Sequence, residues 1–320
     1  MPLDPFLQSF VPTLTGLPNP ITDFNAWRTQ DSRSNDAMTV QLTEPGPEVE
    51  KIYNVRIGTP PESVELRVYY PPGDGPHPVH LYLHGGGWIG GSIHDRLVDT
   101  LARERCIGAS CVVVTVNYRK APEHKFPAGL NDCYTALLWV AQHPQTLNIR
   151  PDLITLGGQS AGANLAAALS LKVRDERGPA VVLQLLEVPC LDLTLSQPSY
   201  RSYGTGYGLE LPDINRLVGW YMADTDDITH RYISPLLAPD LAGLPPAHIM
   251  PAEFDPLCDD GLAYAKRLTE AGVPAPVSLQ RGHIHTSNAF TTVMSSAGAW
   301  REEVAAVLNQ AHDRHADAPS

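Results

Sequence analysis

Short apolar runs alternate with longer stretches of helical periodicity along most of this chain, and that alternation predicts its architecture. Residues 49–57 and 64–70 alternate apolar and polar positions across Gly58-Thr59-Pro60-Pro61, the pattern of an antiparallel hairpin. After the Pro- and Gly-rich loop at 71–76, further apolar runs fall at 79–83, 111–116, 153–156, 181–186, 248–250 and 276–279. Helical stretches separate them at about 95–105, 130–143, 161–177, 259–271 and 295–309. Strands that alternate with helices imply βαβ crossovers and a mostly parallel sheet. The expected fold is therefore α/β, an eight-stranded, mostly parallel sheet with helices on both faces.

Two intervals break this rhythm. The first 45 residues are poor in strand signal. Within them, 20–38 carries Phe24, Trp27 and Arg28 and reads as one or two helices before the breaker Glu44-Pro45-Gly46-Pro47. Residues 197–232 hold no clear strand, are rich in Tyr and Gly at 199–208, and contain a helix candidate at 213–222. The two intervals read together as a helical cap over the sheet. The expected organisation is an N-terminal cap segment (1–45), a first core part (46–196), a cap insertion (197–232) and a second core part (233–320).

The stretch with the clearest chemistry is Gly158-Gln159-Ser160-Ala161-Gly162. An apolar strand-type run, 153–157, precedes it, and an Ala- and Leu-rich helical stretch follows. Serine at a strand-to-helix turn with Gly two residues to either side is the G-x-S-x-G nucleophile elbow. The turn is too tight for side chains at the glycines, so the serine stands clear with its Oγ exposed. A chance match in a chain with 25 glycines is the alternative, and the strand–turn–helix setting argues against it. Such a nucleophile needs a base, an acid to orient the base, and donors for a developing oxyanion. His84-Gly85-Gly86-Gly87-Trp88 follows the strand at 79–83, which puts three glycines at the carboxyl end of the sheet. Backbone free of Cβ atoms can turn its N–H groups inward there. A phosphate loop is the rival reading, but no Lys followed by Ser or Thr accompanies the glycines.

Composition narrows the partners. A net charge of −12 argues against nucleic acid and against anionic substrates or membrane surfaces. The five cysteines form no C-x-x-C and no even framework, which suits buried free thiols and a reducing cytoplasm. Residues 1–20 have no basic run followed by a long apolar one, so neither a signal peptide nor a membrane span is expected. Metal catalysis lacks its usual motif, since no H-E-x-x-H occurs.

Four stretches together resemble the hormone-sensitive-lipase-like family of α/β-hydrolases, the bacterial family IV esterases. They are His84 to Trp88, Tyr118-Arg119-Lys120-Ala121-Pro122-Glu123-His124-Lys125-Phe126-Pro127-Ala128, Gly158 to Leu165, and Phe254-Asp255-Pro256-Leu257. The resemblance covers roughly residues 50–310, with its motifs in family order. Gln159, Leu186-Glu187-Val188-Pro189 and the 282–287 end look most like the branch holding the bacterial heroin esterase. The resemblance implies an α/β-hydrolase fold with a helical cap and carboxylic-ester hydrolysis without a cofactor. It also implies a homodimer as the family's frequent state.

From the residues alone, Glu253, Asp255, Asp259 and Asp260 are all candidate acids after the strand at 248–250. The family's D-P-L motif selects Asp255. Cys258 stands where relatives carry arginine. His283 and His285 both follow the last apolar run, and the family's Gly-x-x-His counts from Gly282 to His285. Thr286-Ser287 replaces the Gly-Phe that relatives place next, and His84 is read as a brace for the glycine loop. The implied machinery is Ser160, Asp255 and His285, with the N–H groups of Gly86, Gly87 and Ala161 as the oxyanion hole. Their order in the chain is that of α/β-hydrolases. Trp88, Phe24, Trp27, Tyr203, Tyr207 and Trp220 are candidates to line or roof the substrate pocket.

The expected activity is hydrolysis of short-chain acyl esters, aryl esters among them, on a small-molecule substrate. No long amphipathic lid of the kind a lipase needs is evident. An amidase or lactonase using the same triad stays open, because the leaving-group pocket decides between them. A non-catalytic receptor of the same fold, as gibberellin receptors are, is the alternative of another class. Such receptors lose a triad member, whereas here all three are present.

Overall fold

In the computed structural model, which describes residues 2–59 and 62–316, the helices before the sheet are α1 (Pro5–Phe10) and α2 (Phe24–Leu42). The core then runs β1 (Lys51–Ile57), β2 (Val64–Tyr70), β3 (His77–Leu83), α3 (Arg96–Gly108), β4 (Val112–Asn117), α4 (Ala128–Gln142), α5 (Pro144–Leu147), β5 (Ile149–Gln159), α6 (Ala161–Glu176) and β6 (Leu183–Glu187). It continues with α7 (Ser199–Ser202), α8 (Leu211–Tyr221), β7 (Ala247–Met250), β8 (Ala252–Phe254), α9 (Cys258–Glu270), β9 (Gln280–Ile284) and α10 (Ser295–Ala316). Seven strands form one sheet in the order β1-β2-β4-β3-β5-β6-β7. The β1–β2 hairpin and the β2–β4 pairing are antiparallel, and the remaining four pairings are parallel.

Strand alternation sorts the core into two layers. Val112, Val114 and Val116 of β4 join the α4, α6 and α9 side, while Val113 joins Trp300, Val304 and Leu308 of α10 and Leu101 of α3 on the other. Burial on both faces is what a parallel sheet with flanking helices demands.

The expected eighth strand at 276–279 is not a regular strand, and the eight-stranded sheet is corrected to seven. The backbone there does run beside β7, since Pro274 O and Pro276 O accept from Ala247 N and Ile249 N at 2.9 and 3.0 Å. Proline has no N–H to return, so the ladder cannot continue regularly and survives as a bridge between Ile249 and Val277. Regular pairing resumes one step later, where β9 joins β8 in a separate parallel pair. That pair carries the chain into the end of the sheet where the site lies.

The N-terminal segment is more helical than its sequence pattern suggested. α1 starts at Pro5 with Asp4 accepting the Phe6 N–H at 2.8 Å, and its Leu7 is fully buried against Ile284 and Phe290. α2 is one helix capped by Asp23, which accepts from Asn25 and Ala26 at 2.9 and 3.0 Å. It meets the 211–221 helix at its start, with Phe24 edge-on to Trp220 at 5.1 Å between ring centres. Arg216 of α8 donates to Leu17 O and Pro18 O, both at 2.7 Å.

Among the described residues, no helix is long and apolar enough to cross a membrane. Beneath the sheet, His80 lies 2.9 Å from Thr155 Oγ1, which also donates to Val79 O at 3.3 Å and lies 3.4 Å from His312 Nε2. Burial keeps both imidazoles neutral, His80 well below its ordinary range and His312 pushed down to about 4. Only the unfolded chain takes up these protons just below about pH 6.5, so their stabilisation is intact above that pH and is lost as pH falls. Each such proton is worth about 1.4 kcal/mol per pH unit. The urea midpoint should fall from pH 6.5 towards 4, and His312→Gln should flatten that slope in a chemical-denaturation series.

Candidate active site

The end of β5 and the start of α6 are forced into one tight corner. A Cβ on Gly162 would lie 2.0 Å from Leu83 O and 2.5 Å from His84 O, and one on Gly158 would meet the Gly162 carbonyl at 2.5 Å. Only glycine fits either place. Between them Ser160 takes φ 55° and ψ −119°, a strained conformation for a residue with a Cβ. Its N–H is held by Glu187 O at 2.9 Å. Its Oγ is thereby lifted over the carboxyl edge of the sheet.

β3 ends beside this corner, and its continuation is the glycine loop. Gly86 sits at φ 120° and Gly87 at φ 60°, and Gly86 O accepts from Ile89 and Gly90 N–H at 3.2 and 2.8 Å. A Cβ on Gly86 would clash with the Gly90 backbone at 2.5 Å. His84 braces the loop: its ring stacks on Tyr118 at 4.4 Å, and its Nδ1–H donates to Gly85 O at 2.7 Å. Tyr118 Oη–H donates to His84 O at 2.8 Å. Burial pushes His84 down to about 3, so its ring stays neutral.

The other two groups arrive from β8 and β9. Asp255 directly follows β8, is fully buried, and takes the Leu257 N–H on Oδ1 at 2.9 Å. Its Oδ2 accepts from His285 Nδ1 at 2.7 Å, and His285 Nε2 lies 2.9 Å from Ser160 Oγ. With Nδ1–H directed at the carboxylate, Nε2 is left to accept the serine proton. Side-chain positions 125 and 30 residues apart in sequence are thus joined in one line.

The competing acids are engaged elsewhere. Glu253 accepts the Gly282 N–H at 2.8 Å, Asp259 accepts the Ser199 N–H at 2.9 Å, and Asp260 accepts Leu191 N–H, Asp192 N–H and Tyr200 Oη–H at 2.7 to 2.9 Å. Burial pushes the Asp260 carboxyl up to about 8. His283 points away from Ser160: its Nδ1 bonds Ser287 Oγ at 2.8 Å and its ring meets Trp300 edge-on at 5.3 Å. Cys258 is a buried thiol pushed up to about 12, uncharged at neutral pH. Thr286, next to His285, adopts φ 54°, a conformation that costs a Cβ-bearing residue about 1–2 kcal/mol.

A cleft of about 240 Å³ opens onto this line. Ser160, His285, Gly86, Gly87, Trp88 and Ala161 bound it on the sheet side, and Leu209, Ile214, Leu217, Leu257 and Cys190 supply most of its apolar wall. Of the six aromatic candidates only Trp88 is in that wall, stacked on Tyr221 at 4.6 Å and donating to Asn164 Oδ1 at 3.3 Å. Phe24, Trp27 and Trp220 instead pack on one another, and Tyr203 and Tyr207 pack on Phe254 at 5.6 and 5.7 Å. The sequence expectation for those five is corrected: they join elements to each other. The wall residues it missed were legible in the i, i+3, i+4, i+7 stripe of Ile214, Leu217, Val218 and Tyr221 on α8.

A serine on a strained strand–helix turn, served by a histidine and a buried carboxylate above a mostly parallel sheet, defines the α/β-hydrolase class. The family model for the α/β-hydrolase fold matches residues 80–288, and the chain belongs to that family, in its hormone-sensitive-lipase-like group. It is 40% identical over 238 residues to carboxylesterase NlhH of Mycobacterium tuberculosis, covering 73% of this chain and 74% of the relative. It is 35% identical over 286 residues to an arylesterase of Saccharolobus solfataricus, 89% and 92% of the two chains. The hyperthermophilic esterase of Pyrobaculum calidifontis superimposes with a TM-score of 0.88 at 33% identity, over 97% of this chain and 99% of that one. The protein is an esterase of the serine-hydrolase family.

The corner makes a sharp mutational contrast. Gly162→Ala should destabilise by more than the roughly 1–3 kcal/mol usual for overpacking and abolish activity. Gly219→Ala, in α8 with nothing within 4 Å of the added Cβ, should leave the thermal midpoint unchanged or slightly raised. Thermal unfolding of both variants checks this.

Proposed function

We propose that this protein hydrolyses short-chain carboxylic esters, aryl esters among them, through Ser160, His285 and Asp255 and an acyl-enzyme intermediate. The observation that carries the reading is the continuous pair of hydrogen bonds on His285, to Ser160 at 2.9 Å and to Asp255 at 2.7 Å. Ser160 Oγ attacks the ester carbonyl as its proton passes to His285 Nε2. The buried Asp255 carboxylate keeps the ring in the right tautomer and stabilises the imidazolium as it forms.

Charge developing on the carbonyl oxygen is met by the N–H groups of Gly86, Gly87 and Ala161. The last of these belongs to the first turn of α6, where backbone donors have no partner within the helix. One such donor is worth about 2.7–4 kcal/mol of barrier. His285 then protonates the departing alcohol, and water repeats the attack on the acyl-enzyme. No step asks for a cofactor.

Ser160→Ala should lower kcat by roughly four to six orders of magnitude. His285→Ala should do the same, while His283→Ala, whose ring faces Ser287 and Trp300, should keep at least about a tenth of wild-type kcat. Steady-state kinetics on p-nitrophenyl butyrate, with organophosphonate labelling mapped by mass spectrometry, distinguishes the two histidines and identifies the labelled serine.

The apolar wall bears on substrate length. Each methylene that meets it gains about 0.8 kcal/mol, and length beyond its end meets no wall. Turnover should be best for acyl chains of about two to six carbons and poor on emulsified long-chain triglycerides. Leu217, which packs directly on Gly87, is part of the apolar wall of the cleft. Leu217→Ala should move the optimum of kcat/KM to longer chains in an acetate-to-palmitate series.

A further inference from the structure

Glu187 ends β6 next to Gln159 in the sheet register and is 1% exposed. Its backbone carbonyl already holds the Ser160 N–H, and its side chain reaches further. One carboxylate oxygen pairs with Arg105 of α3, itself 3% exposed. The other accepts Gln159 Nε2–H at 3.3 Å and Asn288 Nδ2–H at 3.2 Å. Gln159 immediately precedes the serine, and Asn288 lies on the 287–289 turn, three residues past His285. One buried carboxylate therefore ties the segment that bears Ser160 to the segment that bears His285.

The far side of this group is also fixed. Arg105 lies over the Tyr82 ring at 4.2 Å and donates to Leu101 O at 3.0 Å. Arg301 of α10 donates to Asn288 O at 2.7 Å and pairs with Glu104 at 2.8 Å. The network is thus anchored in two helices on the face of the sheet opposite α6.

Stability alone is a poor reason for such a group. Taking a carboxylate and a guanidinium out of water costs much of what their attraction returns, and well-packed apolar residues of similar volume often do as well or better. What the carboxylate adds is direction, because its hydrogen bonds fix two segments distant in sequence to one point. Displacement of a catalytic group by about 1 Å can cost on the order of a hundredfold in rate. We infer that Glu187 is a positioning residue, which sets the register between Ser160 and His285 through Gln159 and Asn288.

The inference rests on the triad proposed above, and the test separates the two. Glu187→Gln and Asn288→Ala would be made in the full chain. Active sites would be counted by stoichiometric p-nitrophenyl phosphonate, and kcat on p-nitrophenyl butyrate expressed per titrated site. We expect kcat per site to fall about ten- to a hundredfold in each variant, with KM within about threefold of wild type. The rate constant of phosphonylation should fall by the same factor. The double variant should be within about threefold of the weaker single one, since both cut one hub.

A kcat per titrated site within about twofold of wild type, whatever happens to the thermal midpoint or to the number of titratable sites, would overturn the inference. Asn288→Ala leaves the Glu187–Arg105 pair in place, so it decides the matter if Glu187→Gln does not fold. Wild-type protein that takes up no phosphonate at Ser160 would overturn the triad reading and this inference with it.

Discussion

The corner at Gly158 and Gly162 is where the carbonyl end of β3, the end of β5 and the first turn of α6 compete for the same space. A single methyl there would sit 2.0 Å from Leu83 O, well inside van der Waals contact. Once both positions are glycine, the rest follows from covalent geometry. Ser160 is held at φ 55° because the chain must reverse into α6 within one residue. Since β3 is adjacent to β5, its continuation, the glycine loop at 85–87, has to pass beside that serine. The Ser160 hydroxyl and the N–H groups of the glycine loop are therefore set by the same close approach of two backbones. Strain at Ser160 is offset by burial in α6, whose residues 161–171 are all buried.

Around this corner the structure keeps several ionisable groups out of water, and each is handled differently. His84 is neutralised by desolvation and serves as a flat surface on Tyr118. Asp260 pairs with no cation among the described residues; three donors converge on one of its oxygens, and burial raises its affinity for a proton. Glu187 is paired with the guanidinium of Arg105, itself buried. Asp255 takes a backbone N–H on one oxygen and the imidazole on the other, so its geometry is fixed from both sides. Burial alone does not single out the acid that serves His285; its partners do.

Local steric rules made much of this readable in the sequence. The hairpin, most of the strands and helices up to β7, and the strand–turn–helix setting of Ser160 follow from periodicity or from glycine placement and are found where they were expected. The family's Gly-x-x-His counted to His285 and not to His283, which lies in β9, and it is His285 that hydrogen-bonds both Ser160 and Asp255. The reading failed where tertiary context decides. Pro274 and Pro276 remove the donors that an eighth strand needs, although their neighbours are apolar enough to suggest one. The large aromatic side chains of 203–220 drew attention to themselves as pocket residues, yet their area is spent joining elements. The smaller Ile214 and Leu217 face the serine. The Glu187 network was beyond reach, because its members come from positions 105, 159, 187 and 288 and no local pattern links them.

The N-terminal segment meets the glycine loop rather than the wall of the cleft. Arg28 of α2 donates to Ile89 O at 2.6 Å and to Ala121 O at 2.8 Å, and pairs with Glu123. Trp27 lies against Gly90, where a Cβ would approach its ring within 3.2 Å, and Gly90 N–H in turn donates to Gly86 O. That last bond shapes the turn on which Gly86 and Gly87 present their N–H groups. Donors preorganised for an oxyanion gain their value from not having to reorganise when charge develops. A helix that holds the far side of the loop at Ile89 O, and the neighbouring 118–128 segment at Ala121 O, supplies rigidity from outside the sheet. Trp27 thus backs the glycine loop and Phe24 packs on Trp27, one layer outside the cleft that both were expected to line or roof.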